Sequence, residues 1–434
     1  MFNIKGIEMK KDLSLLLMVC FVTVMVTLQG CKKSTVPELT TVGVTQITTS
    51  SASSGGTIIS DGGEEITEKG VCWSTAVNPT IADSKTSDGN GSANFTSNIV
   101  GLAEATPYYV RAYATNSVGT AYGNEVTFTT IQVTGAVLTT TAATNLTSTT
   151  ATAGGNITNT GGATISARGV CWSTSQNPTI ADSKTVSGTG EGIFTSSITG
   201  LTDGTIYYYR AFATNSFGTT YGEQLQFITP VTDIEGNIYK TAKIGTQVWM
   251  AENLKTTRYN NDTQIPNITD NTEWKDLSTS AYSWYMNDEA ANKNSYGAIY
   301  NWYAVSSGTL CPTGWRIPGD EDFITLEYFL GLPVAEGTQW EWRGTDQGKQ
   351  MKNTTGWAEG QNGTNSSGFS ALPSGYRYYG NGTFAGIGLL GYWWTSSPAD
   401  ASTAYYRRLD GGNDGIYRAS APNSAGKSVR CVKN

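Results

Sequence analysis

The chain contains no histidine. That absence removes Ser-His-Asp and Cys-His nucleophile systems, the commonest general base, and His-ligated zinc. Charge is scarce as well. Charged residues make up 15% of the chain, where a soluble domain usually carries about a quarter. The net charge is −7 and no Lys/Arg cluster stands out beyond the N-terminal segment, which argues against nucleic acid as a partner. Gly, Ser, Thr, Asn and Tyr fill the gap, a composition that favours strands and turns. Carboxylate chemistry stays open.

The one long apolar run is Leu13 to Val26, preceded by Lys10-Lys11 and followed by Leu28-Gln29-Gly30-Cys31. A basic start, a short apolar core and small residues before a cleavage point describe a secretory signal. At 1.5 Å per residue the run is short for a bilayer core of about 30 Å. Met9-Lys10-Lys11 gives a signal of ordinary length, so Met9 is read as the start. The Leu-Gln-Gly-Cys ending resembles the lipobox of bacterial lipoproteins. The resemblance implies cleavage before Cys31, acylation of Cys31, and a membrane partner reached through that lipid. Residues 1–30 are then the signal peptide and 31–39 a lipidated tether. An exported chain permits disulfides. With Cys20 in the signal and Cys31 lipidated, Cys72, Cys171, Cys311 and Cys431 remain.

Gly70-Val71-Cys72-Trp73-Ser74-Thr75 returns as Gly169-Val170-Cys171-Trp172-Ser173-Thr174, an offset of 99 residues. The same offset relates Asn78 to Thr86 with Asn177 to Thr185, and Ala114-Thr115-Asn116-Ser117 with Ala213 to Ser216. A constant offset marks a tandem duplication, and each copy has the length of a sandwich domain. Short β-branched and aromatic runs between Gly, Asn and Ser clusters predict strands. Leu102-x-x-x-Thr106-x-Tyr108 and Leu201-x-x-x-Thr205-x-Tyr207 resemble the tyrosine-corner segment of fibronectin type III domains. The resemblance implies two such domains, 40–130 and 131–230, acting as spacers or protein-binding modules. Trp73 and Trp172 would be core residues, and Cys72 and Cys171 buried apolar thiols.

Beyond residue 231 the texture changes, and ten of the twelve tryptophans lie there. Asp320 to Leu330 reads as a helix, with Phe323, Leu326 and Leu330 on one face, acids in the first turn and Gly331 closing it. The ordered set Leu310-Cys311-Pro312-Thr313-Gly314-Trp315, Gly368-Phe369-Ser370-Ala371-Leu372-Pro373, Gly391-Tyr392-Trp393-Trp394-Thr395 and Ser428-Val429-Arg430-Cys431-Val432 resembles the Fibrobacter succinogenes major paralogous domain, over residues 231–434. Gly319 departs from the Thr or Ser expected as helix N-cap, leaving Asp320 as the candidate cap. That family looks like a divergent C-type-lectin-like fold related to the formylglycine-generating enzymes. The resemblance implies a Cys311–Cys431 disulfide. The expected fold is therefore mainly β and multidomain: two Ig/fibronectin-like sandwiches, then an α+β lectin-like head.

No cofactor or metal is expected. Ala421-Pro422-Asn423 lacks the acid of a calcium-lectin loop, and Asp410-Gly411-Gly412-Asn413-Asp414-Gly415 reads as a turn. Asp320, Glu321 and Asp322 are the densest acids, but they open a helix. No catalytic residue is assigned, and the chain is read as a non-enzyme. Aromatic rings remain as ligand contacts, since flat rings pack on apolar surfaces. Trp340 and Trp342, if extended, share one face. Trp393 and Trp394 divide between faces, with Tyr392 beside them. The expectation is an outer-membrane, surface-displayed head that binds glycan or protein. The alternatives are a structural envelope component or a carboxylate-dependent polysaccharide hydrolase.

Overall fold

The structure, a computed structural model, describes residues 33–434. The signal and Cys31 lie outside the described residues. Among the described residues no helix is long and apolar enough to cross a membrane. The chain divides into two compact units. One runs through Gly135 and includes 159–164 and 215–218; the other holds 136–158, 165–214 and 219–434.

In the first sandwich, strands Glu38–Thr45, Ser51–Ser60 and Phe95–Val100 form one sheet. Strands Ser84–Lys85, Glu68–Ser74, Pro107–Thr115, Thr120–Tyr122 and Val126–Thr129 form the other. The second sandwich repeats both sheets, with strand Ala167–Ser173 between Ser183–Lys184 and Ile206–Asn215. The duplicated sequence gives duplicated contacts. Ala103 N–H donates to Tyr108 OH and Thr202 N–H to Tyr207 OH, both at 3.0 Å, which is the tyrosine-corner bond. Arg111 lies 4.6 Å from the Tyr122 ring and Arg210 4.6 Å from Tyr221. Cys72 and Cys171 are free and buried. Burial pushes both thiols up to about 11, so neither is poised to react.

One boundary and one core assignment differ from expectation. The expected tether, 31–39, overlaps the first strand, which begins at Glu38. Asn116 Nδ2 donates to Thr35 O and Asp61 O at 2.7 and 2.8 Å, so the chain is fixed to the sandwich from Thr35. Trp172 is buried as expected of a core ring, but Trp73 is only half-buried against its core.

The head begins with the hairpin Val231–Thr232 and Ile238–Tyr239, turned by Asp233 and Gly236. A four-stranded sheet orders Thr241–Ile244, Gln247–Met250, Val432–Lys433 and Trp315–Arg316. A six-stranded sheet orders Glu341–Arg343, Asn413–Pro422, Thr403–Asp410, Leu390–Pro398, Ser374–Arg377 and Phe384–Ile387. Cys311 and Cys431 form a disulfide across 120 residues of chain. Close by, Trp315 pairs with Lys433 and Arg316 with Val432.

The helix Asp320–Phe329 buries Phe323 and Leu326 completely and Leu330 nearly so, against Trp249, Phe369 and Trp393. Gly319 is its N-cap and Asp320 is its first helical residue. A glycine suffices because other groups do the capping. Asp322 accepts from Gly319 N–H at 2.7 Å, and Ser397 Oγ accepts from Asp320 N–H at 3.0 Å.

The second sandwich packs on the head. Lys433 Nζ donates to Gly204 O and Thr205 Oγ1 at 2.8 and 3.1 Å, and Ile206 and Ile228 pack on the head's core. Gly204 has φ +52°, and a Cβ there would lie 2.2 Å from the Trp315 ring. The close approach therefore requires glycine.

Candidate functional site

Strand alternation sorts the side chains of the six-stranded sheet. Trp342 pairs with Tyr417, Tyr417 with Arg408, and Arg408 with Tyr392. Cross-strand partners share a face, so these four form one row across four strands. Tyr376 on the next strand continues it, its ring 4.8 Å from that of Tyr392. At about 4.8 Å per strand, five side chains span roughly 19 Å. The members stack in sequence. Trp342 and Tyr417 are 5.2 Å apart, and the Arg408 guanidinium lies 5.4 Å from each ring and 5.9 Å from Tyr392. Trp342 is 37% exposed, while Tyr376, Arg408 and Tyr417 are half-buried. The result is an aromatic ladder with a cation built in.

Lys427 sits beside the ladder. It is 4% exposed, with its amine 4.3 Å from the Tyr406 ring, 4.8 Å from Trp394 and 4.9 Å from Tyr392. No carboxylate or other hydrogen-bond acceptor meets that amine among the described residues. Burial pulls its pKa down to about 7, while three ring faces favour the charged form. Arg408 bonds Asp410, and its Nε is buried without an acceptor among the described residues. Burial lowers the guanidinium pKa, but Tyr392 and Asp410 outweigh that, and the net shift is upward. Burial raises the Tyr406 phenol to about 12. Tyr406 therefore stays neutral, and Arg408 stays charged, near neutral pH.

The opposite face belongs to the core. Glu327 accepts from Arg407 Nε at 2.6 Å and lies 2.9 Å from Arg343 Nη2, with all three side chains no more than 1% exposed. Asp320 binds Arg407 at 2.6 Å and Arg418 at 2.7 Å. Burial raises the Asp320 pKa, but the hydrogen bonds and charge of Arg418 and Arg407 carry it below the usual carboxylate range. Asp322 is likewise lowered, its burial outweighed by bonds from Arg316 and Gly319 N–H. Removing one partner from such a buried network costs about 3–5 kcal/mol. These acids fix the helix to the sheet. The Asp410–Gly415 loop is similarly committed: Asp414 pairs with Lys349 and Lys352, and Asn413 accepts from Gly415 N–H at 2.8 Å.

The aromatic candidates divide. Trp340 and Trp342 are exposed, but they do not share a face. Glu341 has φ +65°, which breaks the extended alternation. Trp340 packs on Tyr405 at 5.5 Å and under Arg418, while Trp342 packs on Tyr417. Trp393 and Trp394 do point to opposite faces, yet both are fully buried, because each face of that inner strand is covered. Their indole N–H groups donate inward, to Asn253 Oδ1 at 2.8 Å and to Tyr300 O at 3.0 Å. Tyr392 is 8% exposed and forms the floor of the ladder rather than its surface. Trp393 and Trp394 are therefore core residues and not ligand contacts. Sequence reasoning missed Tyr376, Tyr406, Arg408, Tyr417 and Lys427.

Among solved structures the chain is similar to the FN1–FN3 domains of chicken CNTN1. That match has 13% identity and a TM-score of 0.20, covering 45% of this chain and 69% of that one. It is also similar to a two-domain fibronectin type III segment of chicken tenascin, with 14% identity and a TM-score of 0.18, covering 44% of this chain and 97% of that one. No curated protein matches the chain. The segment that carries the ladder is placed more narrowly: residues 242–433 match the family model of the Fibrobacter succinogenes major domain.

Proposed function

We propose that this is a lipid-anchored outer-membrane protein, displayed at the cell surface, whose C-terminal head binds carbohydrate without catalysing its breakdown. The observation that carries the reading is the ladder Trp342–Tyr417–Arg408–Tyr392–Tyr376. The exposed parts of the Trp342, Tyr417 and Tyr376 rings offer apolar flat surface to the C–H faces of sugars. Arg408 supplies charge at a fixed position within the ladder. The absence of histidine and the use of Asp320, Asp322 and Glu327 in ion pairs support a binding role over hydrolysis. The paired Cys311 and Cys431, next to a short helix, support reading the head as C-type-lectin-like. The lipobox-like Leu28-Gln29-Gly30-Cys31 supports the anchor. Two sandwiches between anchor and head suit a spacer.

A glycan array probed with the chain from residue 33 onward, with and without calcium, tests the reading. Saturable binding to a defined glycan that survives chelation of calcium is the expected result. A folded protein that binds no glycan would overturn it. Weight would then pass to a structural envelope role, which the burial of Tyr392, Trp393 and Trp394 also suits.

A further inference from the structure

The head holds a cavity of about 400 Å3 that shares no residue with the ladder. This is within the roughly 300–1,000 Å3 range of small-molecule sites. Its lining is basic in an otherwise acidic chain. Lys240, Lys255, Lys293 and Arg430 line it against a single carboxylate, Glu252, whereas the whole chain carries −7. Lys293 is already paired with Glu289 at 2.8 Å. Neither the Lys240 amine nor the Lys255 amine has a hydrogen-bond acceptor among the described residues; that of Lys255 sits 5.3 Å from the Tyr239 ring.

Arg430 forms the base and is 1% exposed. Its Nε donates to Asn253 Oδ1 at 2.8 Å, its Nη1 to Phe369 O, and its Nη2 to Ser370 O at 3.0 Å. All three acceptors are neutral, and among the described residues no carboxylate bonds the buried guanidinium, Glu252 acting on it only through space. Burial draws its pKa down to about 9. A guanidinium fixed in orientation by carbonyls, with N–H groups to spare, is preorganised for an anion. The remaining wall carries Asn294, Ser295 and Thr355, whose amide and hydroxyl groups suit the hydroxyls of a sugar.

We infer that this cleft is a binding site for an acidic sugar, one uronic-acid residue, with its carboxylate held by Lys240 and Lys255 over Arg430 and its hydroxyls held by the polar wall. The site shares no residue with the ladder, and glucuronate binding is read whether or not the ladder binds glycan. The chain from residue 33 onward is titrated calorimetrically with glucuronate, with glucose and with inorganic sulfate. Glucuronate should bind saturably and more weakly as salt rises, and glucose should not bind. Lys240→Gln with Lys255→Gln should weaken glucuronate by about tenfold or more while leaving ladder-dependent glycan binding unchanged. Arg430→Gln removes a buried contact set and risks the fold, so the exposed Lys240 and half-buried Lys255 carry the test. Three results overturn the inference: no glucuronate binding, equal binding of glucose, or unchanged affinity in the double variant. Sulfate binding as tight as glucuronate would overturn the sugar assignment and leave a plain anion site.

Discussion

Breaking the Cys311–Cys431 bond is the perturbation whose size follows most directly from the structure. The bond closes a loop of 120 residues, which includes the helix Asp320–Phe329 and the whole six-stranded sheet. In the chain-entropy model, opening a loop of that length releases about 5 kcal/mol of conformational freedom to the unfolded state. The native pairing of Trp315 with Lys433 and Arg316 with Val432 is retained, so the folded state loses little. For a domain of this size the guanidinium m-value is roughly 5 kcal/mol/M. The unfolding midpoint of Cys311→Ala with Cys431→Ala should therefore fall by about 1 M. Tryptophan fluorescence reports on the head selectively, since ten of the twelve tryptophans lie in it. An unchanged midpoint in the double variant would refute the reasoning. So would alkylation of both thiols in the native, unreduced protein.

Two further outcomes follow. Lys427 is buried with its pKa lowered to about 7 from 10.5. Above 10.5 it is neutral in both folded and unfolded chains and costs nothing. As pH falls toward 7 the unfolded chain binds a proton that the folded one resists, and stability is lost until both states are charged. Lys427→Met should thus stabilise the head at pH 7, on the order of a few kcal/mol less the contribution of the three rings, with the gain vanishing by pH 10.5. Denaturant midpoints across that range check it, and a pH-independent difference contradicts it. The lipid anchor predicts that Cys31→Ser moves the protein from the membrane fraction to the soluble fraction. Retention in the membrane fraction after that change would contradict lipidation at Cys31.

Much of the fold is legible in the sequence because it is written in local patterns. The offset of 99 residues forces two copies of one sandwich, and the Leu-to-Tyr spacing encodes each tyrosine corner. The face of Phe323, Leu326 and Leu330 marks a buried helix. The ladder is harder to see because it depends on register. Trp342 meets Tyr417, 75 positions later, only because an edge strand joins the sheet there. A usable signal exists in Tyr405-Tyr406-Arg407-Arg408, a doubled pair that alternation must split into one ring and one cation on each face. The same alternation places Tyr417 and Arg418 on opposite sides. Reading Trp340 and Trp342 as one surface failed because the left-handed backbone at Glu341 was not foreseeable from its side chain. Trp393 and Trp394 divided as alternation requires, but burial depends on neighbours far along the chain, such as Asn253 and Tyr300. Lys427 gave no signal, since a lone lysine is ordinarily a solvated one.

The most direct test of the account measures affinity for the best array glycan across ladder variants. Truncating an aromatic anchor at a binding hot spot typically costs about 2 kcal/mol or more, which is roughly thirtyfold. Trp342→Ala and Tyr417→Ala should each weaken binding by about that factor. Tyr378→Ala, an exposed ring outside the ladder, should bind as the parent does. Equal affinity in all three would contradict the ladder as the binding surface.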